Sequence, residues 1–537
     1  MVKFTTKLII GIVLALFLGS IFRNPVLGFI VLLAVVFGFK DFKLLNKEKK
    51  DKIVDIGSFK KTYIGITAVV LAILIFFFRP WFHEVAMGIY TTPLVWFFFI
   101  SLMAAIILFV QKKKSIAAIF IGITILSFVA LSLNDVILQR YIVKENVYNE
   151  INSLPDSTDI RILPKAVALR YLEDSLQKSR EKIGGINIVN LDSGLFWMAP
   201  RVPDGDILYF TQKVNGVMTA DATKTDRETK MVAKKLSVGE EIGVTDNIYW
   251  RIFKHKFFVD LGDVYYIYKN DKILTIAPVI SYRFKFPVMI PYFSGVIVLD
   301  ESGTIKEYSP TEVAQLEEFS NNRAYPSELA RLYVDSYKFN LGVINTWFLH
   351  KDQIEISDVY GQANRQPFLM PTTEGLKWIV ATEPFGESYG VFKIFMVDAL
   401  TGRIDMLELN EDQTLTGPVK VISYVKKKFP IIDWGSSRII EPRPFVINGK
   451  LFWMMSITPN DYAGIAYTVF VNSENNEVTA FDNDEGVYNF IKKGISEDEV
   501  EITEEGTIGS TDKTTEELRQ EKIDQIEKLL EELKALD

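Results

Sequence analysis

The chain has no cysteine and only three histidines in 537 residues. Without thiols there can be no disulfide framework, thiolate zinc site, cysteine-ligated iron–sulfur cluster or thiol nucleophile. His83, His255 and His350 lie too far apart for a HExxH-type zinc motif. A third absence is local. The five apolar stretches at 8–22, 26–39, 62–78, 91–110 and 115–133 contain no Asp, Glu, Lys, Arg or His. Ion pathways and proton relays are marked by such groups, so their absence reads as an anchor rather than a conduit.

What is present in the first 133 residues predicts a multi-pass α-helical membrane anchor. A bilayer core needs about 20 helical residues, and the last three stretches qualify. The first two are shorter and are joined by Arg23-Asn24-Pro25, so they read as two thin spans or one re-entrant hairpin. Lysine placement sets the orientation. Lys3, Lys7, eight lysines between 40 and 61, and Lys112-Lys113-Lys114 alternate with connections that carry only Arg23 or Arg79. The positive-inside rule puts the amino terminus in the cytoplasm and residues 134–537 outside. A cleaved signal peptide over 1–22 is the competing reading, without a convincing small-x-small cleavage site. Gly11, Ala15 and Gly19 form a small-residue stripe suited to packing within the hairpin or to a homo-oligomer.

From 134 to 493 the texture changes to short runs rich in Val, Ile, Tyr and Phe, broken by Gly, Asn, Asp and Pro. Runs at 206–212, 264–268, 296–299 and 391–397 predict strands. Windows at 164–180, 326–339 and 418–428 open with proline and predict helices. The expected class is α+β, with antiparallel sheets carrying helices. A polar turn leading into a strand recurs as Asp192-Ser193-Gly194-Leu195-Phe196-Trp197, Glu374-Gly375-Leu376-Lys377-Trp378 and Asn448-Gly449-Lys450-Leu451-Phe452-Trp453. A copy without tryptophan is Asn270-Asp271-Lys272-Ile273-Leu274-Thr275. Each is followed by a second strand and a turn with Gly216, Gly303, Gly402 or Asn476, which supply positive φ. Four repeated modules are expected, at 134–234, 235–321, 322–415 and 416–493.

A helix, then strands, then a strand closing on Asp398-Ala399-Leu400-Thr401-Gly402-Arg403-Ile404 resembles the PepSY family of small extracytoplasmic modules. The copy ending at Asn472 and Asn476 follows the same pattern, whereas the copy at 209–217 has no Asp before its turn. The resemblance implies binding or regulation outside the membrane rather than catalysis.

The end of the chain is a separate piece. Residues 496–537 hold 15 acids and 5 bases, a balance of −10, which leaves 55 bases against 52 acids elsewhere. This segment is unsuited to nucleic acid. An acidic linker at 494–513 precedes a helix at 514–537, opened by a Thr514/Glu517 capping box. Ile523, Ile526, Leu530 and Leu533 give it an apolar stripe for docking or self-association.

Candidate site residues are few. Trp197, Trp378 and Trp453 are either a stacking platform or core residues of a repeated unit. Asp300 and Asp398 are either calcium ligands or caps of their own turns, the latter favoured because no clustered acids accompany them. Ser58/Lys61 and Ser179/Lys182 match S-x-x-K with no further signature. Glu383, where a strand should meet its loop, is a candidate to hold a ligand's polar end together with Arg365. Asp433 and Arg443 share that ambiguity between ligand contact and structural salt bridge. No cofactor, metal or catalytic pair is indicated. The expected function is an envelope scaffold or regulator recognising a protein or peptide. The alternatives are an extracytoplasmic hydrolase of envelope polymers and an accessory subunit of a transport or secretion complex.

Overall fold

The computed structural model describes residues 69, 72–177, 179–191, 194–319, 321–359, 365–386, 390–409 and 414–493. The first two apolar stretches, most of the third, the Ser58/Lys61 match, the acidic linker and the C-terminal helix lie outside these residues.

Helices α1 (Arg79–Tyr90), α2 (Pro93–Val110), α3 (Lys114–Ser132) and α4 (Asn134–Glu145) precede the sheets. Among the described residues α2 and α3 are long and apolar enough to cross a membrane, by length and composition. They form a hairpin closed by Gln111-Lys112-Lys113, with Thr124 donating to Ser101 across it at 2.9 Å. Apolar residues such as Ile100, Phe109, Ile119 and Leu126 stay exposed on its outside. The other end of the hairpin touches the folded region, where the Phe97 and Phe286 rings lie 6.0 Å apart. The short helix α1 is fastened beside it. His83 stacks on Phe253 at 3.5 Å and its Nε2 meets the Val259 carbonyl at 2.8 Å.

Strand β1 (Tyr148–Ile151) and helix α5 (Lys165–Asp174) lead into the first sheet. That sheet holds β2 (Glu181–Ile183), β3 (Asn187–Leu191), β4 (Gly194–Pro203), β5 (Val217–Asp221) and β6 (Thr229–Val232). Helix α6 (Asp206–Thr211) lies between β4 and β5, and α7 (Ile248–His255) precedes the second sheet. The second sheet comprises β7 (Asp260–Leu261), β8 (Tyr265–Lys269), β9 (Lys272–Lys285), β10 (Val288–Leu299) and β11 (Ile305–Tyr308). After α8 (Ser327–Asp335) the third sheet contains β12 (Ile354–Ile356), β13 (Phe368–Thr372), β14 (Gly375–Pro384), β16 (Lys393–Asp398) and β17 (Ile404–Glu408). The small pair β15 (Gly390–Val391) and β18 (Leu415–Thr416) lies beside it. Helix α9 (Pro418–Lys428) precedes the fourth sheet, β19 (Ser437–Ile447), β20 (Lys450–Pro459), β21 (Tyr467–Asn472) and β22 (Val478–Phe481), and α10 (Asp484–Lys493) follows it.

Pairing within the sheets is antiparallel, as short connections between consecutive strands require. The exception is β1, which crosses to pair in parallel with β17, Tyr148 opposite Ile404. The units also share cores. One apolar cluster joins Met198 of the first sheet, Ile276 of the second and Phe395 of the third. Another joins the third and fourth through Ile394 and Trp453.

Two sequence expectations are corrected. The run at 206–212 is not a strand: Asp206–Thr211 form helix α6, whose Ile207 and Phe210 are exposed, so no sheet face was available to hold them extended. Gly216 does not end a hairpin strand; it precedes β5, with φ +103°. A Cβ there would sit 2.0 Å from the Val232 carbonyl oxygen, so the glycine serves close backbone approach. The turn that closes the first unit is at Asp221, whose Oδ1 accepts from the Thr223 amide at 2.9 Å. Asp300, Asp398 and Asn472 accept in the same way from Ser302, Thr401 and Glu474, each at 2.9 Å. These side chains cap their own turns, which is the role an Asx residue plays at a strand end.

A candidate binding cavity between repeated units

The three tryptophans occupy equivalent strands, β4, β14 and β20, and are almost fully buried. Each indole N–H donates to a backbone carbonyl: Trp197 to Leu163 at 2.8 Å, Trp378 to Tyr325 at 3.0 Å and Trp453 to Thr416 at 2.7 Å. In every case the acceptor lies two residues before the first helical residue, of α5, α8 and α9 respectively. A buried indole needs such a partner. The bond therefore fixes where each helix starts over its sheet. The second sheet has Thr275 at this place and lacks the device.

In two units an arginine is added, two residues ahead of the acceptor: Arg161-Ile162-Leu163-Pro164 and Arg323-Ala324-Tyr325-Pro326. The Arg161 guanidinium lies 5.3 Å from the Trp197 ring centre, and that of Arg323 lies 5.6 Å from Trp378. Both arginines are more than nine-tenths buried, at 6% and 8% exposure, and neither Nε has a hydrogen-bond partner. The two units face each other, so both arginines and both tryptophans line one cavity of about 190 Å³. Lys165 and Glu328 from the first turns of α5 and α8 also line it, with Asp263 from the second unit.

The charges here are only partly neutralised. Arg161 shares Glu441 with Arg443, at 3.2 and 3.1 Å, and the Lys165 backbone N–H donates to the other Glu441 oxygen at 2.8 Å. Arg331 pairs with Asp358 at 2.5 Å. Arg323 donates only to the neutral Asn187, at 2.6 Å, and no carboxylate lies within ion-pair distance of it among the described residues. The Lys165 ammonium and the exposed Arg365 make no ion pair among the described residues either. Burial lowers the Lys165 pKa, against the attraction of Asp263. Burial and the like charge of Asp263 raise that of Glu328. Three cations, Lys165, Arg323 and Arg365, thus face two acids, Asp263 and Glu328, with no internal partner fixed.

The residues singled out from sequence scatter. Trp378 and Arg365 both line the cavity. Glu383 stands five residues beyond Trp378 on β14, opposite Glu355 on β12, and forms no ion pair with Arg365 among the described residues. The neighbouring Gln366 bonds instead to the Ala381 backbone of β14, two residues before Glu383. Burial, with Glu355 adding repulsion, pushes the Glu383 carboxyl up to about 7. Asp433 is exposed and accepts from the Gly435 amide at 2.8 Å, capping its own turn. Arg443 is buried in the Glu441 cluster and also donates to the Arg161 and Ile162 carbonyls. Burial and then the like charge of Arg161 lower it to about 9, so it stays a cation at neutral pH. Arg161, Lys165, Asp263, Arg323 and Glu328 were not singled out from sequence. The signal that would have found the arginines is the duplicated Arg-x-x-Pro ahead of a helix.

No protein-family model matches the chain, and no curated protein does.

Proposed function

We propose that the chain is a multi-pass membrane protein whose extracytoplasmic region is a PepSY-like binding and assembly scaffold of the cell envelope. The observation that carries this reading is the cavity, where the units meet and the buried Arg323 has no carboxylate within ion-pair distance among the described residues. An internal polar cluster that served only stability would be paired throughout, because an unpaired buried charge is costly. The membrane assignment draws on the α2–α3 hairpin. Its lysines lie at one end and the sheets at the other, which suits a cytoplasmic turn and a region from residue 134 onward outside the cell.

Two experiments test it. Protease added to intact cells should cut within 134–537 and spare the 40–61 loop; the opposite pattern overturns the orientation. The full chain in detergent, used as bait on envelope extract, should retain a protein or peptide partner that Arg365→Glu releases. Arg365 is exposed and has no ion pair among the described residues, so the fold tolerates that change. Retention unaffected by Arg365→Glu would remove the cavity from the scaffold's function.

A further inference from the structure

The cavity has a composition that narrows its ligand. Its two arginines sit in matched positions on facing units, each held over a tryptophan and each with an unused Nε. Guanidinium is the planar donor that suits a carboxylate, which it can engage by two parallel bonds. Lys165 and Arg365 add charge of the same sign. Yet Asp263 and Glu328 share the wall. Two carboxylates there repel a doubly charged oxyanion, and they offer a place for an ammonium group. The volume of about 190 Å³ equals roughly six waters at their share of liquid volume, about the size of alanine, and the exposed Arg365 side leaves a second residue room in solvent.

We propose that the cavity binds a small zwitterion, a carboxylate with an amine close by, of the kind found in free amino acids and short peptides. The carboxylate meets Arg323 and Lys165, with Arg365 at the exposed side, and the amine meets Asp263 and Glu328. The ligand would bring a carboxylate within bonding distance of the buried Arg323, which no described residue does. This deepens the scaffold reading and rests on it, since it takes the same cavity as the binding site.

Titration calorimetry on the full chain in detergent tests the proposal with L-alanyl-L-alanine as the probe. Its C-terminal amide, its N-acetyl form and inorganic phosphate are the controls, and L-alanine separates a free amino acid from a peptide. The free dipeptide or L-alanine should bind, and amidation should weaken dipeptide binding at least about tenfold, the usual effect of losing a charge-assisted bond. Arg323→Gln should weaken binding by a similar factor. Because Arg323 is buried, Arg365→Gln is the second variant, and a several-fold loss is expected there with the circular dichroism unchanged. Asp263→Asn should erase the difference between free and N-acetylated dipeptide. The ligand class is overturned if the amide binds as well as the acid, if phosphate binds more tightly than the zwitterions, or if no zwitterion binds to the folded protein. Loss of partner capture in Arg365→Glu without any zwitterion binding would overturn this proposal and leave the scaffold reading standing. Zwitterion binding with capture unchanged would do the reverse.

Discussion

Replacing Trp378 by phenylalanine isolates the bond that seats helix α8. The indole is 4% exposed, and its N–H meets the Tyr325 carbonyl at 3.0 Å, two residues before the helix begins. Phenylalanine keeps an aromatic ring but loses the donor. A typical hydrogen bond contributes about 1 kcal/mol net, and a buried carbonyl left without its donor costs about 1–3 kcal/mol. The smaller ring adds a void, so the total should be about 2–4 kcal/mol, somewhat below the ~3–5 kcal/mol of Trp378→Ala. Denaturant unfolding of the full chain gives the global loss. Hydrogen exchange gives the local one, because a chain of several units need not unfold as one. Exchange should rise in Ser327–Asp335 and stay unchanged in the fourth sheet. Trp197→Phe and Trp453→Phe remove the same bond at α5 and α9 and should agree with Trp378→Phe within about 1 kcal/mol. A cost below about 0.5 kcal/mol, or loosening away from the matching helix, would refute the claim that these bonds seat the helices.

Three further outcomes follow from the structure. Gly402→Ala should cost about 2–4 kcal/mol by denaturant unfolding, because φ is +81° and the new Cβ would meet Tyr325 Cε2 at 2.1 Å. Asp398→Ala should cost about 2–3 kcal/mol, since it also strips the buried Lys377 of its 3.2 Å partner and leaves only Asp405 at 3.8 Å. Asp300→Ala removes a turn cap alone and should cost under about 1 kcal/mol in the same assay; equal losses would refute the distinction. Glu240 is pushed up to about 7 by burial despite hydrogen bonds from Tyr266 and Tyr249. Its folded pKa lies above the unfolded value, so the native state holds the extra proton between about 4.5 and 7, and stability falls as pH rises through that window. Glu240→Gln should therefore stabilise the protein above pH 7 by up to about 3 kcal/mol and bring little gain near pH 4, read from unfolding midpoints across pH.

Much of the architecture could be read locally. Helix α9 spans the 418–428 window that opens with proline, α2 falls inside the apolar stretch that ends at 110, and α3 covers the one that ends at 133 to within a residue at each end. The repeated Leu-x-Trp strands are equally local, since alternation and turn chemistry act over a few residues. Where a local signal had no tertiary partner it misled, as at α6, whose strand-forming residues found no sheet to join. Gly216 misled for a related reason: positive φ marks a hairpin turn and a close backbone approach alike, and only the position of Val232 distinguishes them.

The sequence by itself determined the apolar and polar segments, the α+β texture, the recurrence of the tryptophan strand and the lysine pattern. It also held both copies of Arg-x-x-Pro, without a reason to connect them. Tertiary structure alone decided that units one and three face each other, that Arg161 and Arg323 thereby share a cavity, and that Glu383 and Arg365 form no ion pair among the described residues. It alone brought β1 alongside β17, and Glu441 between Arg161 and Arg443. The physical reason is range. Backbone preference and hydrophobic periodicity are set by neighbours in the chain, whereas pairing of buried charges depends on which surfaces bury the most apolar area together.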